Sequence, residues 1–273
     1  PFTIANGLFL SFFYQPQGRN NEAPGQNDSL ILQFKNDTGA WFTVWKATGS
    51  PLTNFKQVML QVNDNQYIHD SFQFRFINYM NYIGNLKHWH IDYIYFDRFR
   101  VPSDTIYNDM AIVEGPSSIL RKYSSLPWKH FSANPNFYLD PNNRIKIANL
   151  FPNDRPVVYS SVTRDENNDI ALSFDIQNGQ NVSSKEWRTF TFQPTGSIPN
   201  LNTDSTVFKT RYLIDPGPAD DYDINDTVYG EQIFSSYYAY DDGSPETGFG
   251  LLNAIGSVAL GYDLIIPDTL RGI

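Results

Sequence analysis

The stretch "SLILQFKNDTGAWFTVWKATG", Ser29 to Gly49, decides the fold class. Leu30, Leu32 and Phe34 recur at every second position, the spacing that places side chains on one face of a strand. "NDTG", Asn36–Gly39, is a turn signal, and Trp41 to Trp45 carry the chain back. The whole reads as a β-hairpin. On the N-terminal side, "GLFLSFFYQPQG" is a strand ended by the Pro16–Gly18 turn, followed by the polar loop "GRNNEAPGQND". On the C-terminal side come "FKQVMLQVN", "SFQFRFINYM" and "HWHIDYIYFD". In the second of these Phe72, Phe74 and Phe76 share one face, and Gln73, Arg75 and Ile77 share the other. That is the signature of a half-buried antiparallel strand.

Composition agrees with strands. Among 273 residues stand 21 Phe, 17 Tyr and 5 Trp, residue types favoured on pleated surfaces. Asn, Asp, Gly and Pro interrupt the chain at short intervals, an all-β rhythm. The net charge is −9, from 29 acidic and 20 basic residues, with no basic stripe. Nucleic acid is therefore a poor partner. The absence of cysteine excludes disulfides, thiolate zinc sites and thiol nucleophiles. No apolar run is long enough to span a membrane.

The first hundred residues resemble a known family. The succession "LSFFYQPQG", "DSLILQF", "WFTVWKATG", "FKQVMLQV", "FQFRF" and "HWHIDYIYF" is similar to MAM-type jelly rolls, with "IDYI" (Ile91–Ile94) in the place of their Ile-Asp-Asp-Ile-like closing signature. The chain departs from the animal pattern in lacking cysteine and in having Tyr93 where the second Asp stands. It is more similar to the cysteine-free modules of surface proteins that Bacteroidota export by type IX secretion, where "FYQPQG", "FQFRF" and "HWHIDYIY" recur almost verbatim. The resemblance implies an exported cell-surface location at the outer face of the outer membrane, and adhesion to other surface or outer-membrane proteins.

The expected organisation is all-β: a jelly-roll sandwich over residues 1–97, a connector over 98–139 with a short helix near Ser117–Tyr123, and an immunoglobulin-like sandwich over 140–228. The final stretch, 229–273, reads as the start of a further jelly-roll module, because "YYAYDDGSPETGFG" resembles the opening of one. The sequence is expected to be a window on a longer protein that extends beyond Pro1 and Ile273.

Candidate sites follow from spacing. His88, His90 and Asp92 alternate along one strand and offer two imidazoles and a carboxylate to zinc or iron. Ligands stepped along one flat strand converge poorly on one ion, so the competing expectation is a strand with Trp89, Ile91 and Tyr93 facing the core. The acidic loops "DPGPADDYDIND" and "YDDGSPE" are candidate calcium ligands, with Asp241, Asp242 and Glu246 the leading set, although neither has EF-hand spacing. Neither a Gly-x-Ser-x-Gly elbow nor a His-Glu-x-x-His motif is present. Trp41, Trp45, Trp89, Trp128, Tyr79 and Tyr82 are candidates for stacking on sugar rings, against a competing role as core. Ser29, Thr105, Ser205, Thr227 and Thr269 each follow an Asp and precede an apolar residue or Thr, which resembles the O-glycosylation sequon of exported Bacteroidota proteins. Thr105 and Thr227 lie in loop-like sequence, whereas Ser29 reads as the start of a strand.

The functional expectation is a non-catalytic exported surface or structural protein acting in adhesion or assembly. The alternative is a carbohydrate-binding module of a secreted polysaccharide-degrading protein. A metal enzyme through His88, His90 and Asp92 is the third.

Overall fold

The computed structural model describes residues 3–4, 7–18, 22–80, 87–115, 117–176, 179–241, 255–257 and 259–272. Among these, residues up to Thr105 form one compact unit and residues from Ile106 onward form a second. Both are built from antiparallel sheets, as the alternating apolar pattern requires. No helix among the described residues is long and apolar enough to cross a membrane.

The first unit holds β1 (Phe9–Gln15), β2 (Ser29–Lys35), β3 (Trp41–Thr48), β4 (Lys56–Gln61), β5 (Gln73–Tyr79) and β6 (His90–Asp97). They form two three-stranded sheets, in the orders β4-β1-β6 and β3-β2-β5. Leu10 and Phe12 of β1, with Val58, Leu60, Ile91 and Phe96 beside them, pack against Leu32, Phe34, Trp45, Phe74 and Phe76 of the other sheet. Every connection except the β2–β3 hairpin crosses from one sheet to the other, which is the winding of six consecutive strands of a jelly roll. In the hairpin turn the Asn36 carboxamide oxygen accepts from the Ala40 amide at 2.7 Å, and Gly39 takes φ +86°, a conformation that costs glycine little.

Two bulges reset the alternation. Between β2 and β3 the pairing passes from Leu32↔Trp45 to Gln33↔Thr43, leaving Val44 as an extra residue. Between β1 and β6, Tyr93 and Ile94 together face Phe12, because the pairs on either side are Phe13↔Asp92 and Ser11↔Tyr95. Tyr93 adopts φ +48° there and its ring packs on Phe13 at 6.0 Å, on the face away from the core. The expectation that Tyr93 points inward fails for this reason: a bulge inserts a residue and breaks the two-residue period. Ile91 does join the core.

The second unit holds β7 (Met110–Glu114), α1 (Trp128–Ala133), α2 (Pro135–Tyr138), β8 (Asn143–Asn149), β9 (Arg155–Arg164), β10 (Ile170–Asp175), β11 (Gln180–Val182), β12 (Trp187–Phe192), β13 (Thr206–Asp215) and β14 (Thr227–Phe234). One sheet runs β12-β8-β7, the other β10-β9-β13-β14 with β11 also on β9. With β11 set aside, the first, second and fifth strands share one sheet and the rest share the other. That is an immunoglobulin-type order in which the fourth strand has joined the second sheet. Phe208, Thr210, Tyr212 and Ile214 line the inner face of β13. Tyr212 and Ile214 meet the three-stranded sheet, whereas Phe208 meets Trp128 and Phe131 of α1.

Three expectations are corrected here. The stretch 98–139 is more than a connector, because β7 pairs with β8 and α1 and α2 supply part of the core. The helix falls at Trp128–Ala133 rather than Ser117–Tyr123, where the Ser118 hydroxyl accepts from the Leu120 amide at 3.0 Å and favours a local turn over a helix. The stretch 229–273 does not open a separate module among the described residues. Tyr229–Phe234 belong to β14 and pair with β13, and Tyr238 and Ile265 pack on the α1–α2 core.

Phe12 is fully buried, with Trp45 and Phe76 edge-on to it at ring-centroid distances of 5.1 and 4.9 Å. Phe12→Ala is expected to lower unfolding free energy by about 3–5 kcal/mol, whereas Thr43→Ala, on the exposed face, stays within about 0.5 kcal/mol. Urea titrations of both variants check this, and equal losses would contradict the sandwich described.

Candidate functional site

Among the described residues, the histidine strand is not assembled into a metal centre. His90 and Asp92 stand on the outward face of β6, with His90 against the Phe55 ring at 6.3 Å, while His88 precedes the strand. The Asp92 carboxylate accepts from the Tyr93 amide at 2.8 Å, and burial of that group raises its pKa even though the residue as a whole is exposed. Among the described residues no three His, Asp or Glu side chains gather to hold a metal ion. Of the calcium set, Asp241 is exposed and its main-chain oxygen accepts from the Ser124 hydroxyl. Asp242 and Glu246 lie outside the described residues.

The modification sites separate by exposure. Thr105, Ser205 and Thr269 are exposed and lie outside strands. Thr227 opens β14 opposite Leu213, so its loop assignment is corrected: the Asp-rich run before it ends in a short 3-10 turn at Asp223–Asn225 and the strand follows at once. Ser29 is 3% exposed, a poor position for a glycan on the folded chain.

Carboxylates crowd one end of the second unit. Asp226 is 8% exposed and Asp109 fully buried, and Asn225 donates to both Asp109 oxygens at 3.1 and 3.2 Å. Asp220 accepts from the Met110 and Tyr222 amides, each at 2.8 Å. Asp226 Oδ1 is buried and has no hydrogen-bond partner among the described residues. Burial first, then the charges of Asp220, Asp109, Asp223 and Asp215, push the Asp226 carboxyl up to about 7. It therefore takes up a proton near neutrality, which relieves the like-charge crowding.

Sequence reasoning missed a second polar constellation. His130 Nε2 lies 2.9 Å from Asp268 Oδ2, and the Tyr238 hydroxyl lies 2.8 Å from His130 Nδ1. Asp268 also pairs with Lys129 at 2.7 Å. These lysine and histidine hydrogen bonds hold the Asp268 carboxyl well below the usual carboxylate range. Burial and then the Tyr138 hydroxyl push the Tyr238 hydroxyl above its usual range, so it stays protonated and is no nucleophile. With His130 fully buried, the chain Tyr238–His130–Asp268 acts as a latch tying the segment around Asp268 to α1. Its partners are 138 residues apart in sequence, so no local motif announces it.

The sugar-stacking candidates divide in the same way. Trp45 is in the first core, Trp128 in the second unit's core, and Trp89 is half-buried near the Tyr14 ring. Tyr82 lies outside the described residues. Trp41 and Tyr79 remain, both on the outward face of β3-β2-β5. The pairings Trp41↔Lys35↔Gln73 and Thr43↔Gln33↔Arg75 form neighbouring rows there. The Arg75 guanidinium lies 4.2 Å over the Trp41 ring and donates to Gln33 Oε1 at 2.9 and 2.8 Å. Gln33 Nε2 donates to Thr43 Oγ1 at 3.2 Å, and Tyr79, 66% exposed, ends the face. On the opposite outer face, of β1 and β6, Arg100 donates to Ser11 Oγ at 2.8 Å and lies over the Tyr95 ring, while His90 and Asp92 stay exposed.

No family model matches the chain, and no curated protein matches it. Among solved structures it is similar to a Bacteroides uniformis β-glucuronidase (8% identity, TM-score 0.34, covering 83% of this chain and 26% of that one). It is also similar to a glycosyl hydrolase family 2 member from Bacteroides cellulosilyticus (12%, TM-score 0.37, 84% and 27%). A third is the tandem N-terminal CBM22 domains of a Paenibacillus barcinonensis protein (8%, TM-score 0.24, 84% and 77%). The chain spans about a quarter of the length of the two glycosidases. At TM-scores below 0.5 these likenesses carry neither a fold nor a function to this chain.

Two expectations arise from these polar clusters. The Asp226 carboxyl titrates at about 7 in the folded chain, well above the usual carboxylate range, so its contribution is fully favourable below about pH 4 and is lost as pH rises toward 7. Asp226→Asn is therefore expected to gain melting temperature relative to the parent as pH rises from 4 to 8, and a pH-independent difference would contradict the buried carboxyl. Asp268→Asn is expected to lower the melting temperature at neutral pH and speed proteolysis of the surrounding segment. The depressed Asp268 pKa means this loss shrinks as the solution is acidified through the carboxylate range. Melting curves and limited proteolysis at two pH values check it.

Proposed function

We propose that the chain is a non-catalytic pair of β-sandwich modules that binds polysaccharide along the outward face of β3-β2-β5. The observation that carries this reading is the Trp41–Arg75–Gln33–Thr43 arrangement: an aromatic ring and a lattice of amides, a hydroxyl and a guanidinium on one sheet surface. Sugars present the complementary combination of apolar ring faces and hydroxyl edges, and an amphipathic aromatic fits them. The face runs from Lys35 to Ser29 along β2, roughly 20 Å at about 3.4 Å per residue, so it suits a chain rather than one ring. Export to the cell surface belongs to the same proposal and rests on the likeness of "FYQPQG", "FQFRF" and "HWHIDYIY" to exported surface modules.

A second reading, adhesion to another surface protein, is favoured by β14. It pairs only with β13 among the described strands, and its Tyr229 and Ile233 are 73% and 48% exposed. An apolar, open sheet edge is a template for an added strand.

A glycan array followed by titration calorimetry separates the two readings. Saturable binding to a polysaccharide, weakened about tenfold or more (about 1.4 kcal/mol) by Trp41→Ala, supports the first. No binding to any polysaccharide, or full binding by the Trp41→Ala variant, sinks it and leaves the protein-adhesion reading.

A further inference from the structure

The charge on the same face points to the class of glycan, an inference that rests on the polysaccharide reading above. The outward side chains of β2 are Ser29, Ile31, Gln33 and Lys35, and those paired with them are Trp41, Thr43, Lys46 and Thr48 on β3 and Gln73, Arg75, Ile77 and Tyr79 on β5. Three of these are cationic and none is acidic. In a chain with 29 acidic and 20 basic residues, a sheet face with only positive charge runs against the overall balance.

Among the described residues, no carboxylate neutralises these cations. The ion pairs among the described residues engage Lys87, Arg100, Lys122, Lys129, His130, Lys146 and Lys209, and none involves Lys35, Lys46 or Arg75. Arg75 is bound by the neutral Gln33 oxygen, and Lys35 Nζ by the neutral Gln73 oxygen at 3.4 Å. Amide partners orient a cation without spending its charge, so it stays free to meet an anion. Lys35 and Arg75 sit on adjacent strands at one end, and Lys46 is opposite Ile31, four residues from Lys35 along β2 or roughly 14 Å. Charges stepped along a strand match a polymer with repeated anionic groups.

We infer that the outward face of β3-β2-β5 binds an anionic polysaccharide, its carboxylate or sulfate groups paired with Lys35, Lys46 and Arg75 and its sugar rings laid along Trp41 and Tyr79. The residues beside the cations favour a glycan over an acidic protein surface: two glutamines and two threonines supply neutral hydrogen-bonding groups for hydroxyls. Opposite charges across such a face raise the rate of encounter and make the complex sensitive to ionic strength.

The test uses the full chain with four probes: polygalacturonate, a sulfated dextran, a neutral glucan and polyglutamate. The expected result is binding to one or both acidic polysaccharides, falling as salt is raised. Lys35→Glu and Lys46→Glu are each expected to weaken it about tenfold, whereas Lys56→Glu, the same charge change on β4 of the other sheet, leaves it intact. Thermal melts confirm that the variants fold, and the exposed Lys46 carries the test if the Lys35 variant does not. The preferred probe tells carboxylate from sulfate. Equal binding of the neutral glucan, or indifference to Lys46→Glu, overturns the anionic inference while leaving polysaccharide binding in place. Binding of polyglutamate alone, or of none of the probes, overturns both.

Discussion

Phe12 sits at the middle of the first sandwich, fully buried, with the Trp45 and Phe76 rings meeting it edge-on from the opposing sheet. Much of the first unit depends on that contact. Two sheets, each greasy on one side, are stable only when those sides close on each other. Once Phe12, Trp45 and Phe76 point inward, the pleat assigns the residues of β2 and β5 to a face, and on β3 the bulge at Val44 resets the assignment. The outward row of Trp41, Gln33, Lys35 and Arg75 is thus a consequence of core packing rather than a separate construction. A packed inner face also holds the side chains of the outer one in place, which a binding surface needs.

Local departures from strand regularity do as much as the strands themselves. Trp41 and Trp45 are four residues apart, so strict alternation would place both on one face. The extra residue Val44 inverts the parity, sending Trp45 to the core and leaving Trp41 under Arg75 on the outside. The bulge at Tyr93 does the same on β6, taking an aromatic out of the core and onto Phe13. In both sheets a one-residue insertion decides which aromatic enters the core and which packs on the outer face.

Charge is sorted with the same economy. Among the described residues, the first unit presents cations on one sheet face with no acidic partner, while the second concentrates Asp109, Asp215, Asp220, Asp223 and Asp226 at one end. Crowded carboxylates are tolerable when backbone amides and Asn225 satisfy several of their oxygens and when Asp226 can hold a proton. The net charge of −9 conceals this division, since a sum over the chain carries no positions.

The sequence by itself determined the all-β class, the β2–β3 hairpin with its Asn36–Gly39 turn, and the positions of the other strands of the first unit, because two-residue alternation and turn chemistry are local signals. It named Trp41 and Tyr79 among six aromatic candidates without separating them from Trp45 and Trp128. Only the tertiary structure decided which rings are core, since burial depends on which sheet closes over them. It also decided that the stretch after Thr105 joins the second unit: β7 finds β8 across the segment 115–142, and α1 fills a core that strands alone leave open. The latch of Tyr238, His130 and Asp268 and the carboxylate cluster around Asp226 were illegible for the same physical reason. Their members are brought together by antiparallel pairing and packing over more than a hundred residues, and pairing between distant strands is set by the fold as a whole rather than by any window of sequence.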